Sequence, residues 1–127
     1  MAHVQQFIGK ATYDFSVDGG AADTAITPAS NFTIPNNAII TECVSHVSTV
    51  MASGGSATVA FTIGGVTLQA AQAFNHADFS NEDVISILDA PDKTTASGQL
   101  VVTTAGSAAL TAGVFSVYVT YILALES

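Results

Sequence analysis

ATVAFTIGGVTLQAA, residues 57–71, is the stretch on which the fold turns. Val59, Phe61 and Ile63 alternate with Thr58, Ala60 and Thr62, and a period of two marks a strand with one buried face. Gly64 and Gly65 follow at once, and a Gly-Gly pair supplies the positive φ values that a two-residue hairpin turn needs. A second apolar run begins at Val66, so the stretch predicts an antiparallel hairpin.

The same period recurs on both sides. Near the C-terminus, Phe115, Val117, Val119, Tyr121, Leu123 and Leu125 fall on one face, with Ser116, Tyr118, Thr120 and Ile122 on the other. Residues 99–105 are expected to be the hairpin partner of that strand, through a turn at 106–113. In the first half, Ala11, Tyr13, Phe15 and Val17 stand at spacing two within 8–17 and are stopped by Asp18-Gly19-Gly20. Residues 38–51 form a further long strand between Pro35-Asn36-Asn37 and Ser53-Gly54-Gly55. Its alternation is imperfect: Ile39, Cys43, Val47 and Met51 share a face with Thr41 and Ser45, while Ile40, Val44 and Val50 take the other. Either both faces are covered or a bulge changes the register. Residues 72–92 hold Asp78, Glu82, Asp83, Asp89 and Asp92 and read as a long loop around one short strand near 84–88. About eight strands with turns at short intervals and no helix of any length make an all-β chain. We expect residues 1–127 to form one antiparallel β-sandwich of jelly-roll or Greek-key type, with residues 1–6 as an extended N-terminal arm.

Composition restricts the partners. Hydrophobic residues make up 49% of the 127 and charged ones 9%, against about 25% charged in an ordinary domain. Lys10 and Lys93 are the only basic side chains besides the histidines, and ten acidic residues bring the formal net charge to −8. Nucleic-acid binding needs clustered Lys or Arg to displace counterions, so neither nucleic acid nor an anionic membrane is expected as a partner. The most apolar stretch, 114–125, is broken by polar residues and is shorter than the ~20 residues of a membrane helix. No basic region followed by an apolar run opens the chain, and the reading is a soluble protein that starts at its own initiator methionine and is not exported.

Chemistry-bearing patterns are sparse. His76 with Asp78, Glu82 and Asp83 is the nearest approach to a zinc set, but it lacks tight ligand spacing and reads better as a solvated acidic loop. Asp14, Asp18 and Asp23 do not follow the EF-hand spacing, and Asp-Gly-Gly is first of all a turn. Cys43, the single cysteine, falls inside a strand, where a buried structural thiol is the usual state. There is no Gly-x-Ser-x-Gly elbow and no phosphate loop ending in Lys-Ser or Lys-Thr. Asn31-Phe32-Thr33 matches a glycosylation acceptor, a frequent chance match that is irrelevant without export. We therefore expect no enzyme, no cofactor and no metal. A carbohydrate-binding module would present exposed aromatic platforms, yet Trp is absent and Tyr13, Tyr118 and Tyr121 lie in strands.

So apolar and weakly charged a chain suits a subunit, because permanent interfaces bury apolar side chains and deplete charged ones. Ile40, Val44, Val50, Tyr118 and Ile122 lie off the expected core faces and are candidate interface residues. His3 and Val4 in the N-terminal arm join them, since an arm can interlock with a neighbour.

The succession YDFSVDGG at 13–20, IPNNAIIT at 34–41, SGGSATVAFTIGG at 53–65 and LTAGVFSVYVTY at 110–121 resembles small virion structural proteins of tailed bacteriophages, most of all head decoration or cement proteins. The resemblance covers most of the chain and rests on turns and strands. It implies a β-sandwich that binds the outer surface of the phage head, with the major capsid protein as partner, and reinforces the shell. It further implies a homo-oligomer, trimer favoured over dimer. Another virion part (neck, tail or head-fibre base) or a soluble ligand-binding or carbohydrate-binding module is the alternative.

Overall fold

The glycine pair behaves as its chemistry requires. In a computed structural model of the chain, describing residues 2–75, 84–86, 91–106 and 108–126, Gly64 and Gly65 take φ of 55° and 85°. They join strands β5 (Ala57–Ile63) and β6 (Val66–Ala73), with Ile63 opposite Val66. Along β5 every second residue is buried, Ala57, Val59, Phe61 and Ile63, while Thr58, Ala60 and Thr62 between them are partly exposed.

The remaining elements are β1 (Ala2–Asp14), a single helical turn α1 (Phe15–Asp18), β2 (Ala25–Ile26), β3 (Thr33–Ile34), β4 (Ile39–Ser53), β7 (Val84–Ser86), β8 (Asp92–Lys93), β9 (Gly98–Gln99), β10 (Val101–Gly106) and β11 (Leu110–Glu126). A first sheet runs β1-β11-β4-β7, with β8 also pairing β4, and a second runs β2-β10-β5-β6; β3 and β9 form a short ribbon. All pairings are antiparallel. Within the two sheets, β1 pairs β11, β2 pairs β10, β4 pairs β7 and β5 pairs β6. These nested pairs describe one long hairpin of four strand pairs rolled onto itself, and the chain changes sheet at every principal connection except the β5–β6 turn. That connectivity is the jelly roll, so the expected all-β sandwich is what forms.

The two inner faces meet in one apolar core. Phe115 of β11 is the hinge between them, stacked at 5.1 Å on Tyr13 of β1 and set at 4.9 Å from Phe61 of the second sheet. All three rings are buried, each removing area worth roughly 1.5–3 kcal/mol of apolar transfer free energy.

Several sequence expectations change in three dimensions. Strand β10 does not form a hairpin with β11; it pairs β5 and β2 in the second sheet. The chain then crosses to the first sheet, anchored where Asp23 accepts from the Gly106 N–H (3.0 Å) and the Leu110 N–H donates to Gly20 O (2.8 Å). Strand β1 stops at Asp14 and not at Val17. The Asp14 carboxylate accepts from the Ser16 N–H at 2.9 Å and caps α1, and Gly19 with φ of 77° ends the turn. Residues 2–6, read from sequence as part of an extended N-terminal arm over 1–6, are the opening residues of β1 and pair with β11 from Ala2↔Glu126 onward. Ile40, expected off the core, is fully buried in it. The reason is an extra residue on β4: the pairing steps from Thr120↔Glu42 to Tyr121↔Ile40, so Thr41 is bulged out and the residues before it change face.

Candidate interaction interface

Side chains that face away from the core collect on the outside of the first sheet. Lys10 of β1, Tyr118 of β11 and Val44 of β4 are cross-strand neighbours in one row. The Lys10 ammonium lies over the Tyr118 ring, 5.6 Å from its centroid, a cation–π contact that draws the charge back across the sheet. In the next outward row, Ile8 stands opposite Thr120 and Thr120 opposite Glu42. Beyond it, Ile122 is flanked by Gln6 on one side and Ile39 on the other. On the opposite flank of Tyr118, Thr12 Oγ1 and Ser116 Oγ share a hydrogen bond of 3.0 Å, and Ser116 faces His46.

Of the residues singled out from sequence, Val44, Tyr118 and Ile122 therefore share one face. Val50 is 43% exposed but lies farther along β4, past the register shifts opposite Val114. His3 and Val4 lie in β1 opposite Leu125 and Ala124; their side chains are outside the described residues. Sequence reading missed Ile8, which at 71% is the most exposed large hydrophobic residue among those described. Its signal was present in its phase: Ile8, Lys10 and Thr12 alternate with the inward Ala11 and Tyr13. Val17, placed in a strand by its spacing, is 67% exposed on the helical turn.

The polar groups that invited chemical readings hold the backbone together instead. Asp14 caps α1, Asp18 accepts from the Asp14 N–H (3.0 Å) and the Ala29 N–H (2.9 Å), and Asp23 accepts from Gly106. Among the described residues, no three His, Cys, Asp or Glu side chains are grouped to hold a metal ion. The His76, Asp78, Glu82 and Asp83 set lies outside the described residues. The Asn31 side chain takes the place of a strand neighbour, donating to Leu100 O (2.9 Å) and accepting from the Leu100 N–H (3.0 Å). Buried Thr94 donates to Pro35 O (2.8 Å) and accepts from the Ala38 N–H (3.0 Å), clamping the approach to β4.

Two titrating groups are shifted upward. Burial pushes the Cys43 thiol up to about 12, with Glu42 adding to it, so the thiol stays protonated and inert at neutral pH. Burial likewise raises Tyr13 to about 12, helped by Asp18 and then Asp14, while its hydroxyl donates to Gly19 O at 2.6 Å.

Taken together, the strands describe a jelly-roll sandwich whose first sheet carries Ile8, Val44, Tyr118 and Ile122 among polar side chains on its outer face. Neither a protein-family model nor a curated protein matches the chain. Among solved structures it is similar to a chain in the cyanophage Pam1 capsid asymmetric unit, with a TM-score of 0.56 and 20% identity over 96% of this chain and 86% of that one. The likeness spans nearly the whole sandwich and shows a shared fold.

Proposed function

We propose that this chain is a non-enzymatic structural protein of a bacteriophage virion that binds the outside of the head as a homo-oligomer and reinforces the shell. The observation that carries the reading is the fold shared, over almost the whole chain, with a component of a phage capsid asymmetric unit. Two physical features support it. With a net charge of −8 the chain is repelled by packaged DNA, which favours the exterior of a shell. The outer face of the first sheet, with Ile8, Val44, Tyr118 and Ile122, offers an apolar footing on the major capsid protein or on another copy.

The test is the copy number of the chain relative to the major capsid protein in purified particles, read by quantitative peptide mass spectrometry. Trypsin is a poor protease for a chain with two lysines and no arginine. One copy per capsid subunit, or a simple fraction, is expected for a decoration protein. A ratio lower by one or two orders of magnitude would reassign the chain to the neck, tail or a vertex, and absence from the particle would overturn the virion reading.

A further inference from the structure

Aspartate followed by glycine is the dipeptide at which a chain most readily rearranges its own backbone, because glycine puts no side chain in the way of its nitrogen. Of the aspartates and asparagines in this chain, only Asp18 precedes a glycine. The fold demands the pair. Gly19 ends α1 with φ of 77°, a left-handed conformation that favours glycine. Asp18 ties α1 to its surroundings, one carboxylate oxygen accepting from the Asp14 N–H at 3.0 Å and the other from the Ala29 N–H at 2.9 Å.

The chemistry needs nothing but water. The Gly19 nitrogen attacks the side-chain carbon of Asp18 in its carboxylic acid form; a C–N bond forms, and the amide proton leaves with the carboxyl hydroxyl as water. A second water opens the cyclic imide. Opening at the side-chain carbonyl restores aspartate. Opening at the backbone carbonyl gives isoaspartate, in which the chain runs through Cβ and the carboxylate sits on Cα.

Each group in that reaction is held in the folded chain. The Gly19 N–H donates to Phe15 O at 2.9 Å, which fixes the attacking nitrogen in the closing bond of α1. Gly19 O accepts from the buried Tyr13 hydroxyl at 2.6 Å, and that bond resists rotation of the Gly19 backbone. The Asp18 side-chain carbon cannot swing onto the nitrogen without giving up its bonds to Asp14 and Ala29. Asp14 secures the start of the turn, accepting from the Ser16 N–H at 2.9 Å and the Ser16 hydroxyl at 2.7 Å.

We propose that Asp18–Gly19 is a modification site, where this chain forms succinimide and isoaspartate, and that the hydrogen bonds around α1 gate it. Reaction then proceeds only through molecules in which α1 has opened. Segments open locally at free energies below that of global unfolding, and a single helical turn beyond a strand end belongs to the low end of that range. The proposal does not depend on the virion reading.

The experiment follows residue 18 of the full chain in mildly acidic buffer, with and without denaturing urea. An aspartate-directed protease cuts before Asp18 but not before isoaspartate, and peptide mass spectrometry counts the uncut junction and the imide, which is one water lighter. Isomerisation is expected to be at least about tenfold slower in the folded chain than in urea, because only the opened fraction reacts. Two variants keep the Asp-Gly pair and loosen its surroundings. Tyr13→Phe releases Gly19 O while keeping a ring against Phe115, and Asp14→Ala removes the cap of α1. Each is expected to speed the reaction in buffer several-fold with the β circular-dichroism spectrum retained. Val59→Ala, which thins the core at β5 and touches none of these bonds, is expected to leave it unchanged. No isoaspartate at residue 18 even in urea, equal rates in buffer and urea, a rate in buffer that Tyr13→Phe and Asp14→Ala leave unchanged, or the same acceleration by Val59→Ala would each overturn the proposal.

Discussion

The first sheet is built on strands of 13, 17 and 15 residues, the second on strands of 2, 6, 7 and 8. Inside they meet on equal terms, Tyr13 and Phe115 from one against Phe61 from the other. Outside they do not. The second sheet turns out Thr58, Ala60, Thr62, Val101, Thr103 and Ala105, which are short, whereas the first turns out the larger Ile8, Val44, Tyr118 and Ile122 among Gln6, Lys10, Thr12, Glu42, Ser116 and Thr120. An exterior of small side chains needs nothing further to be soluble; one of large apolar side chains on long strands gains from being covered. Core packing and these larger outward side chains therefore lie on opposite surfaces of the same sheet, and they can be perturbed separately.

The largest test of that separation is Phe115→Ala. Removing the ring that both sheets pack against should cost about 3–5 kcal/mol in urea unfolding and melt the two sheets in one transition. A loss under about 1 kcal/mol would mean that they do not share a core. Next comes Gly9→Ala in β1. A Cβ there would collide with the Phe32 ring, which stacks on Tyr121 at 6.5 Å, so about 1–3 kcal/mol should be lost. Gly54→Ala, where nothing lies within 4 Å, should stay within about 0.5 kcal/mol.

Alkaline pH should weaken the first sheet in particular. Tyr13 and Cys43 both belong to it, and both hold their protons in the folded chain to about 12, above the ordinary 10.0 and 9.0. Unfolding lets these protons leave earlier, so their contribution is complete below about pH 9 and disappears as pH rises to about 12. The urea midpoint should fall across that window, and a flat midpoint would remove both groups from the account. Cys43 should react with a thiol reagent only after unfolding. Charging the outer faces should also cost little stability. Tyr118→Glu and Thr103→Glu should each change folding by no more than about 0.5–1 kcal/mol, yet only Tyr118→Glu should weaken binding to particles or to a second copy. Equal binding by both variants would erase the distinction between the faces.

Much of this was legible along the chain. The β5–β6 hairpin could be read because its turn and both arms are contiguous, and β11 because its alternation is unbroken. The outward position of Val44, Tyr118 and Ile122 followed from the same period. Ile40 was misplaced because one bulged residue, Thr41, inverts the phase of β4, and nothing in the local composition marks a bulge. Strand β10 was given the wrong partner because proximity in sequence favours a hairpin, while the hydrogen bonds from Asp23 to Gly106 and from Leu110 to Gly20 carry the chain to the other sheet. Ile8 was overlooked although its phase, opposite to that of Ala11 and Tyr13, already set it outward; how far it is exposed depends on the strands beside it.

The residues alone determined that the chain is all-β, that it turns at Gly64-Gly65 and that it is strongly acidic, because period, turn chemistry and charge are local or additive properties. Only the tertiary structure decided which strands are neighbours and which outer face carries the larger apolar side chains. Those depend on pairings as distant as Ala2 with Glu126, and a period of two tells a side chain which side to face without telling its strand which sheet to join.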